Sequence, residues 1–149
     1  MKPLSIETIA AAVNGRIIRD GKVSEITGVS TDTRTIQPGD LFVPLVGERF
    51  DGHNFLMQAA QKGAAAILTQ NLNKTLPGGI YIIYRNDTLA ALQDLAAWYL
   101  KSFGIPVVAV TGSTGKTTTK DMIAGVLSEQ YSVLRTQGNF NNAIGLPLT

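Results

Sequence analysis

The segment VVAVTGSTGKTTTK, residues 107–120, joins a continuous apolar run to a lysine that follows two glycines. Such a run is typical of a parallel strand buried on both faces, and the residues after Lys116 have helical spacing. A glycine-rich turn between a strand and a helix is the usual setting of a phosphate-binding loop. The segment therefore predicts an α/β fold with a phosphate site at the start of a helix.

The residue types in this loop suit a nucleoside triphosphate. Gly112 and Gly115 would let the backbone approach phosphate oxygens, while successive N–H groups at a helix N-terminus attract the anion. Lys116 would add a positive charge near the β- and γ-phosphates, and Thr117 a hydroxyl oxygen for Mg²⁺. We therefore predict ATP and Mg²⁺ as cofactors, with Thr117 as the metal ligand. The predicted nucleotide-binding residues are Gly112, Ser113, Thr114, Gly115, Lys116, Thr117 and Thr118.

The loop departs at one position from the general pattern GxxxxGK[ST], because Val110 stands where the first glycine belongs. A cluster of glycine, serine and threonine is also compatible with a plain strand-to-helix turn that carries an N-cap. The position of the lysine and of the threonine after it, together with the strand before them, favours the phosphate loop.

The segments on either side of the loop predict a βαβ unit. Residues 105–112 are predicted to form a buried strand, the next residues a helix through about Glu129, and residues 131–136 a second strand. Strand, helix and strand in this order form a right-handed crossover. Because a sheet usually has about five or six strands, we expect the domain that contains this unit to be incomplete.

The first part of the chain alternates helices and short strands. Ser5 is a plausible N-cap for a helix that ends at Gly15, and short strands follow over residues 16–46. A second helix is predicted to end at Gly63, before a buried strand and then a further strand at residues 79–84. This order indicates a small α/β unit.

Asn86 and Asp87 offer an N-cap for a third helix, which is predicted to bury an apolar stripe that includes Trp98. We expect a domain boundary here. The predicted fold is an α/β N-terminal substrate domain, residues 1–86, followed by the first βαβ unit of a P-loop parallel-sheet domain, residues 87–149.

The composition narrows the class of protein. The chain has 149 residues, 44% apolar and 16% charged, as in a globular protein. A formal charge of +2 without a basic run gives no support for nucleic acid as a partner. Cysteine is absent, which excludes disulfides and thiolate metal sites. Since no segment has about 20 consecutive apolar residues, we expect no membrane insertion and a cytoplasmic location.

Three stretches resemble the Mur ligase family. The loop TGSTGKT fits that family's own version, TG[ST]xGKT, in which Val110 is no departure. Residues 30–55 look like the uridine-nucleotide-binding region of the N-terminal domain. Residues 138–149, GNFNNAIGLPLT, resemble the central-domain loop GNxNNxIGxP of the members that add a dipeptide. Together the three stretches extend the resemblance over essentially the whole chain.

The resemblance implies an ATP-dependent amide ligase of peptidoglycan precursor synthesis. The terminal carboxylate of UDP-N-acetylmuramoyl-tripeptide would take the γ-phosphoryl group, and the amine of D-alanyl-D-alanine would attack the acyl phosphate. Members of the family have further central strands and a C-terminal domain, so we expect this chain alone to show little or no turnover. The alternatives are the related ligase that adds the third peptide residue, a non-catalytic UDP-sugar-binding module, or another P-loop enzyme such as a small kinase.

The resemblance also assigns site residues. The residues implied to contact the uridine diphosphate end of the substrate are Thr31, Thr33, Arg34, Glu48, Arg49 and Phe50. Hydroxyls, a guanidinium and an aromatic face suit phosphates and a base, although ordinary solvated turns have the same composition. Asn139 and Asn142 are implied to face the ATP phosphates or the reacting carboxylate, and with Lys116 they are the candidate catalytic residues. His53 is given no chemistry, because capping the next helix explains it.

Overall fold

The computed structural model describes residues 1–23, 25–136 and 142–149. The strands in these ranges are β1 (Leu4–Ser5), β2 (Arg16–Arg19), β3 (Glu25–Ile26), β4 (Gly28–Ser30), β5 (Asp40–Phe42), β6 (Val46–Gly47), β7 (Phe50–Asp51), β8 (Ala66–Thr69) and β9 (Tyr81–Tyr84). The α-helices are α1 (Ile6–Ala12), α2 (Leu56–Gln61), α3 (Thr88–Ser102) and α4 (Lys116–Ser128), and a 3₁₀ helix spans Gly52–Phe55.

A sheet with the strand order β2-β9-β8-β5-β4 forms the centre of the fold. Strands β4, β5, β8 and β9 are parallel, and β2 runs antiparallel to β9 at one edge. The predicted α/β class with a parallel sheet is therefore confirmed. Every residue of β8 is buried, as expected of a central strand covered on both faces.

Helices cover both faces of this sheet. Helices α1 and α3 pack into one apolar cluster and α2 into the other. Neighbouring residues of one strand enter opposite clusters, as Ile67 and Leu68 do in β8, because side chains alternate across a strand. Because the four strands are parallel, their carboxyl ends lie at one edge of the sheet, where the loops that follow them can form a site.

The local signals at the helix ends are confirmed. The Ser5 side chain accepts a hydrogen bond from the backbone N–H of Thr8 at the start of α1. The Asp87 side chain does the same for the N–H of Ala90 at the start of α3, over 2.9 Å. In both cases an oxygen of the capping side chain satisfies an N–H that has no partner within the helix.

Neither the strand predicted before the phosphate loop nor the strand predicted after α4 is formed. Residues 105–112 and 131–136 contain no strand, and Val107 and Val108 are each 62% exposed. The helix between them is confirmed as α4. A strand requires a neighbour that supplies hydrogen-bond partners, and no strand of the described residues pairs with these two segments. Of the predicted βαβ unit, the structure therefore contains the helix and neither of the two strands.

The first half of α3 packs into the same apolar core as the residues before it in the chain. Ala91, Leu92 and Leu95 are buried in the same cluster as α1. Trp98 is 37% exposed, so its assignment to the core was wrong, because it lies beyond the end of that buried stripe. The domain boundary near Asp87 stays a prediction, and the packing of α3 favours a change of unit after this helix.

Candidate functional site

The predicted phosphate loop is an exposed turn that leads directly into α4. Gly112 has a φ of +147° and Gly115, the N-cap of α4, a φ of +75°. Residues with side chains rarely adopt such positive φ angles, so both positions favour glycine. The loop thereby places the free N–H groups and the positive end of a 13-residue helix next to one another.

Lys116 is the first residue of α4, and its ammonium folds back over the loop. Its Nζ donates a hydrogen bond to the backbone carbonyl of Gly112. The positive charge of the side chain and the N-terminal end of the helix are thus held at the same place. Thr117 and Thr118 follow in the first turn of α4 and are exposed, as are Ser113 and Thr114 in the loop.

Of the two asparagines predicted to be catalytic, the structure describes one. Asn139 lies outside the described residues. Asn142 is described, and its Oδ1 accepts hydrogen bonds from the N–H groups of Ile144, over 3.1 Å, and Gly145, over 2.6 Å. This is the turn geometry that asparagine commonly forms with its own backbone. A role for either residue toward ATP stays a prediction.

A second group of predicted residues lies at the carboxyl edge of the parallel sheet. The turn that contains Thr31, Thr33 and Arg34 follows β4, and the β6–β7 hairpin follows β5. The two strands are parallel and adjacent. The fold therefore brings these two segments to the same edge, the usual location of ligand sites in open α/β sheets.

Thr33 is not a surface hydroxyl. Only 8% of it is exposed, and its Oγ1 donates to Gln58 Oε1 over 2.7 Å. Its hydroxyl proton therefore fixes the turn to α2. Thr31, two residues earlier, is half-buried. Sequence reasoning missed this partner because Gln58 lies 25 residues away.

The guanidinium of Arg34 is paired with a carboxylate of its own turn. Its Nε lies 3.0 Å from Asp32 Oδ1 and 2.9 Å from Oδ2, while 85% of the Arg34 side chain is exposed. The hydrogen bond from this side chain lowers the pKa of Asp32 to about 2, and the same contact raises the pKa of Arg34. A phosphate that engages Arg34 would have to compete with Asp32.

The β6–β7 hairpin presents the remaining predicted residues. Glu48 and Arg49 form its exposed tip. The ring of Phe50 stacks on that of Phe55, with centroids 5.6 Å apart and planes inclined by 19°. The two rings, 54% and 37% exposed respectively, form a flat apolar surface of the kind on which a base can stack. Phe55 was not among the predicted site residues.

His53 is buried below the hairpin. Its Nδ1 lies 2.7 Å from Asp51 Oδ1, and its Nε2 lies 3.3 Å from the backbone nitrogen of Gln70. Partial burial alone would raise the pKa of Asp51, but hydrogen bonds from the backbone and ring of His53 outweigh it and lower that pKa. The capping role predicted for His53 belongs to Asp51 instead, whose side chain accepts from the His53 N–H at the start of the 3₁₀ helix.

Two absences hold for the described part of the chain. It contains no group of three or more histidine, cysteine, aspartate or glutamate side chains placed to hold a metal ion. Within the same residues no helix has both the length and the apolar character that a membrane crossing needs.

Comparison with known proteins identifies the family. The profile described as "Mur ligase family, catalytic domain" matches residues 25–112, and that of the Mur ligase middle domain matches residues 110–149. A curated relative, the UDP-N-acetylmuramoyl-tripeptide–D-alanyl-D-alanine ligase of Bacillus subtilis, is 50% identical over 97% of this chain and 32% of its own length. The chain thus spans about a third of the length of this relative.

Solved structures agree with this result. A crystal structure of MurF from Acinetobacter baumannii superposes with a TM-score of 0.90 at 35% identity, over 99% of this chain and 32% of that one. A MurF ligase from Thermotoga maritima, solved in complex with ADP, gives a TM-score of 0.73 at 38% identity, over 80% of this chain and 27% of that one. The phosphate loop, the sheet edge and these matches lead to one conclusion: the chain belongs to the Mur ligase family.

Proposed function

We propose that this chain carries the UDP-substrate unit and the phosphate loop of an ATP-dependent ligase. The ligase joins D-alanyl-D-alanine to UDP-N-acetylmuramoyl-tripeptide in peptidoglycan precursor synthesis. The observation that carries the proposal is the loop at the N-terminus of α4, where Gly115 has a φ of +75° and the Lys116 ammonium lies over the turn. The name of the Bacillus relative and the ADP in the Thermotoga structure support it.

The chemistry requires activation of a carboxylate. A carboxylate oxygen of the tripeptide attacks the γ-phosphorus of ATP, which forms an acyl phosphate and releases ADP. The amine of D-alanyl-D-alanine then attacks the acyl carbon, the C–O bond to phosphate breaks, and the amine loses a proton as the amide forms. Lys116 offsets the repulsion between the anionic carboxylate and the phosphates, which is the main electrostatic cost of the first step.

The residues present also fit Mg²⁺. This ion usually keeps several waters and takes one or two protein ligands beside the nucleotide phosphates, so it does not need a cluster of carboxylates. Thr117, in the first turn of α4, supplies a hydroxyl oxygen beside Lys116. When bound, the ion would neutralise charge on the β- and γ-phosphates. Thr117 is the described residue that we propose as its ligand.

The carboxyl edge of the sheet is proposed to bind the UDP end of the substrate. Thr31 and Arg34 on one loop and Arg49 on the adjacent hairpin would contact the diphosphate, while Phe50 offers its ring to the base. Thr33 would shape the site through Gln58, and Glu48 would remain at the hairpin tip. We place the reaction in the cytoplasm, where ATP is available.

Titration calorimetry with UDP-N-acetylmuramoyl-tripeptide, and separately with Mg-ATP, tests the assignment. We expect both to bind the unmodified chain. Lys116→Ala should abolish the heat of ATP binding and leave the affinity for the UDP compound unchanged, because the two sites lie on different elements. Lys101→Ala, at an exposed lysine of α3, is the control and should change neither. Loss of both ligands in Lys116→Ala would contradict the proposal.

The same titrations separate the alternatives. A non-catalytic UDP-sugar module would bind the UDP compound and not Mg-ATP, whereas a small kinase would bind Mg-ATP alone. A third titration, with UDP-N-acetylmuramoyl-dipeptide, tests for the related ligase that adds the third peptide residue, which would bind this compound more tightly than the tripeptide. Our proposal requires the reverse preference.

A further inference from the structure

We propose that His53 is a positioning residue for the UDP-substrate site. Its neutral ring fixes the β6–β7 hairpin against the end of β8 and so sets where Arg49 and Phe50 meet the ligand. The inference rests on the proposed function of the hairpin. The contacts of the His53 ring do not depend on that function. His53 is the only histidine of the sequence, and 1% of its side chain is exposed.

Helix capping does not explain the contacts that the imidazole ring of His53 makes. The cap at the start of the 3₁₀ helix uses the backbone N–H of His53 and the carboxylate of Asp51. Any residue at position 53 except proline would supply that N–H. The imidazole makes two further contacts, to Asp51 and to the backbone nitrogen of Gln70, which is the first residue after β8. The ring therefore bridges the foot of the hairpin and the carboxyl edge of the sheet.

The partners of the two ring nitrogens determine the tautomer. A backbone N–H only donates, so the Nε2 that faces Gln70 has to be an unprotonated acceptor. The proton of the neutral ring then resides on Nδ1, where it is donated to the Asp51 carboxylate over 2.7 Å. Both ring nitrogens are thus satisfied with a single orientation of the imidazole, and that orientation locks Asp51 of β7 relative to β8.

The contacts continue beyond Gln70 and return to the hairpin. The Gln70 side-chain oxygen accepts from the N–H of Thr88 over 2.9 Å. The one hydroxyl proton of Thr88 is donated to the carbonyl oxygen of Pro44, which at 2.6 Å is nearer than Gln70 Oε1 at 3.0 Å and lies on the segment that leads into the hairpin. The hairpin is therefore held at both of its ends, through His53 at one and through Thr88 at the other.

Nitrogen-15 NMR of the imidazole tests the tautomer in the unmodified chain. We expect the spectrum of a neutral ring with its proton on Nδ1. A ring protonated on Nε2 at neutral pH would overturn the proposal, because it could not accept from Gln70. This readout does not depend on the folding of any variant or on the binding of a ligand.

Two substitutions separate the two contacts of the ring. His53→Asn retains an amide within reach of Asp51 and is too short for Gln70, whereas the longer side chain in His53→Gln carries an oxygen toward the position of Nε2. Affinity for UDP-N-acetylmuramoyl-tripeptide is measured well below the thermal midpoint of each variant, so that a change in stability alone leaves it unaltered. We expect His53→Asn to lose about tenfold in affinity and His53→Gln to recover most of it, since ordering a mobile loop costs binding energy of this size.

The control is Asn54→Ala, at the exposed neighbour that binds Lys74 Nζ and has no hydrogen bond to the ring. It should bind as the unmodified chain does. Equal affinities for the unmodified chain and His53→Asn would overturn the positioning role while leaving the proposed function intact. Failure of the unmodified chain to bind the UDP compound would instead refute the proposed UDP site itself.

Discussion

The Thr33 hydroxyl donates to Gln58 Oε1 over 2.7 Å and thereby fastens the turn after β4 to α2. Thr33→Val should lower the free energy of unfolding by about 1 kcal/mol, because the hydrogen bond is lost at a buried position. Thr33→Ser should keep most of the stability. Urea unfolding of both variants, and of Gln58→Ala alone and combined with Thr33→Val, measures the coupling. Fully additive effects would show that the contact contributes nothing.

Gly52 is in close contact with the chain that enters the hairpin. A Cβ at this position would lie 2.8 Å from the backbone nitrogen and 2.9 Å from the carbonyl oxygen of Leu45. Because backbone atoms give way less readily than side chains, Gly52→Ala should cost about 1–3 kcal/mol of unfolding free energy. Gly78→Ala is the matched control, since a Cβ there meets nothing within 4 Å. Thermal unfolding that moves equally in both variants would contradict this account.

Gly115 of the phosphate loop and Gly125 of α4 should respond in opposite directions to alanine. Gly115 has a φ of +75°, so Gly115→Ala strains the loop by about 1 kcal/mol and should weaken Mg-ATP binding about fivefold. Gly125 lies within α4 in open space, and Gly125→Ala should favour the helix by up to about 1 kcal/mol. Calorimetry and far-UV circular dichroism measure the two effects. Mg-ATP binding that is weakened by Gly125→Ala and not by Gly115→Ala would contradict this prediction.

The ion pair between Asp32 and Arg34 should be visible in an acid titration. The folded-state pKa of Asp32 is about 2 and its ordinary value 3.8, so the pair stabilises the fold above the ordinary value. That contribution is lost as the pH falls from about 4 to about 2. Carbon-13 NMR of the carboxyl should show a midpoint near 2 that returns toward 3.8 in Arg34→Gln. An unchanged midpoint in that variant would exclude Arg34 as the cause.

The phosphate loop illustrates what a short stretch of sequence predicts. Residues 111–118 predicted a glycine-rich turn and a helix start, and the structure has both, with Gly115 in the left-handed conformation that glycine adopts readily. The strand predicted just before it was wrong. Apolar character at residues 105–110 indicates that the segment can be buried in a sheet, but a ladder also needs a partner strand.

The polar turns at the carboxyl edge of the sheet were predictable, whereas their common location and their contacts were not. The sequence of residues 30–55 predicted exposed turns, and it is the parallel pairing of β4 and β5 that brings them to one edge. The pairing of Arg34 with Asp32 and the donation of Thr33 to Gln58 did not follow from residue type. Each depends on which of several acceptors lies nearest once the chain has folded.

The sequence by itself determined the α/β class, the helix caps at Ser5 and Asp87, and the family to which the phosphate loop belongs. These features are encoded by residues close together in the chain, whose backbone geometry and hydrogen bonds depend little on distant partners. Only the tertiary structure decided that His53 bridges to Gln70, 17 residues away, because that contact exists only where the pairing of β5 with β8 brings the hairpin after β5 next to the end of β8. It also decided which predicted strands formed, since the free energy of a strand depends on its neighbours.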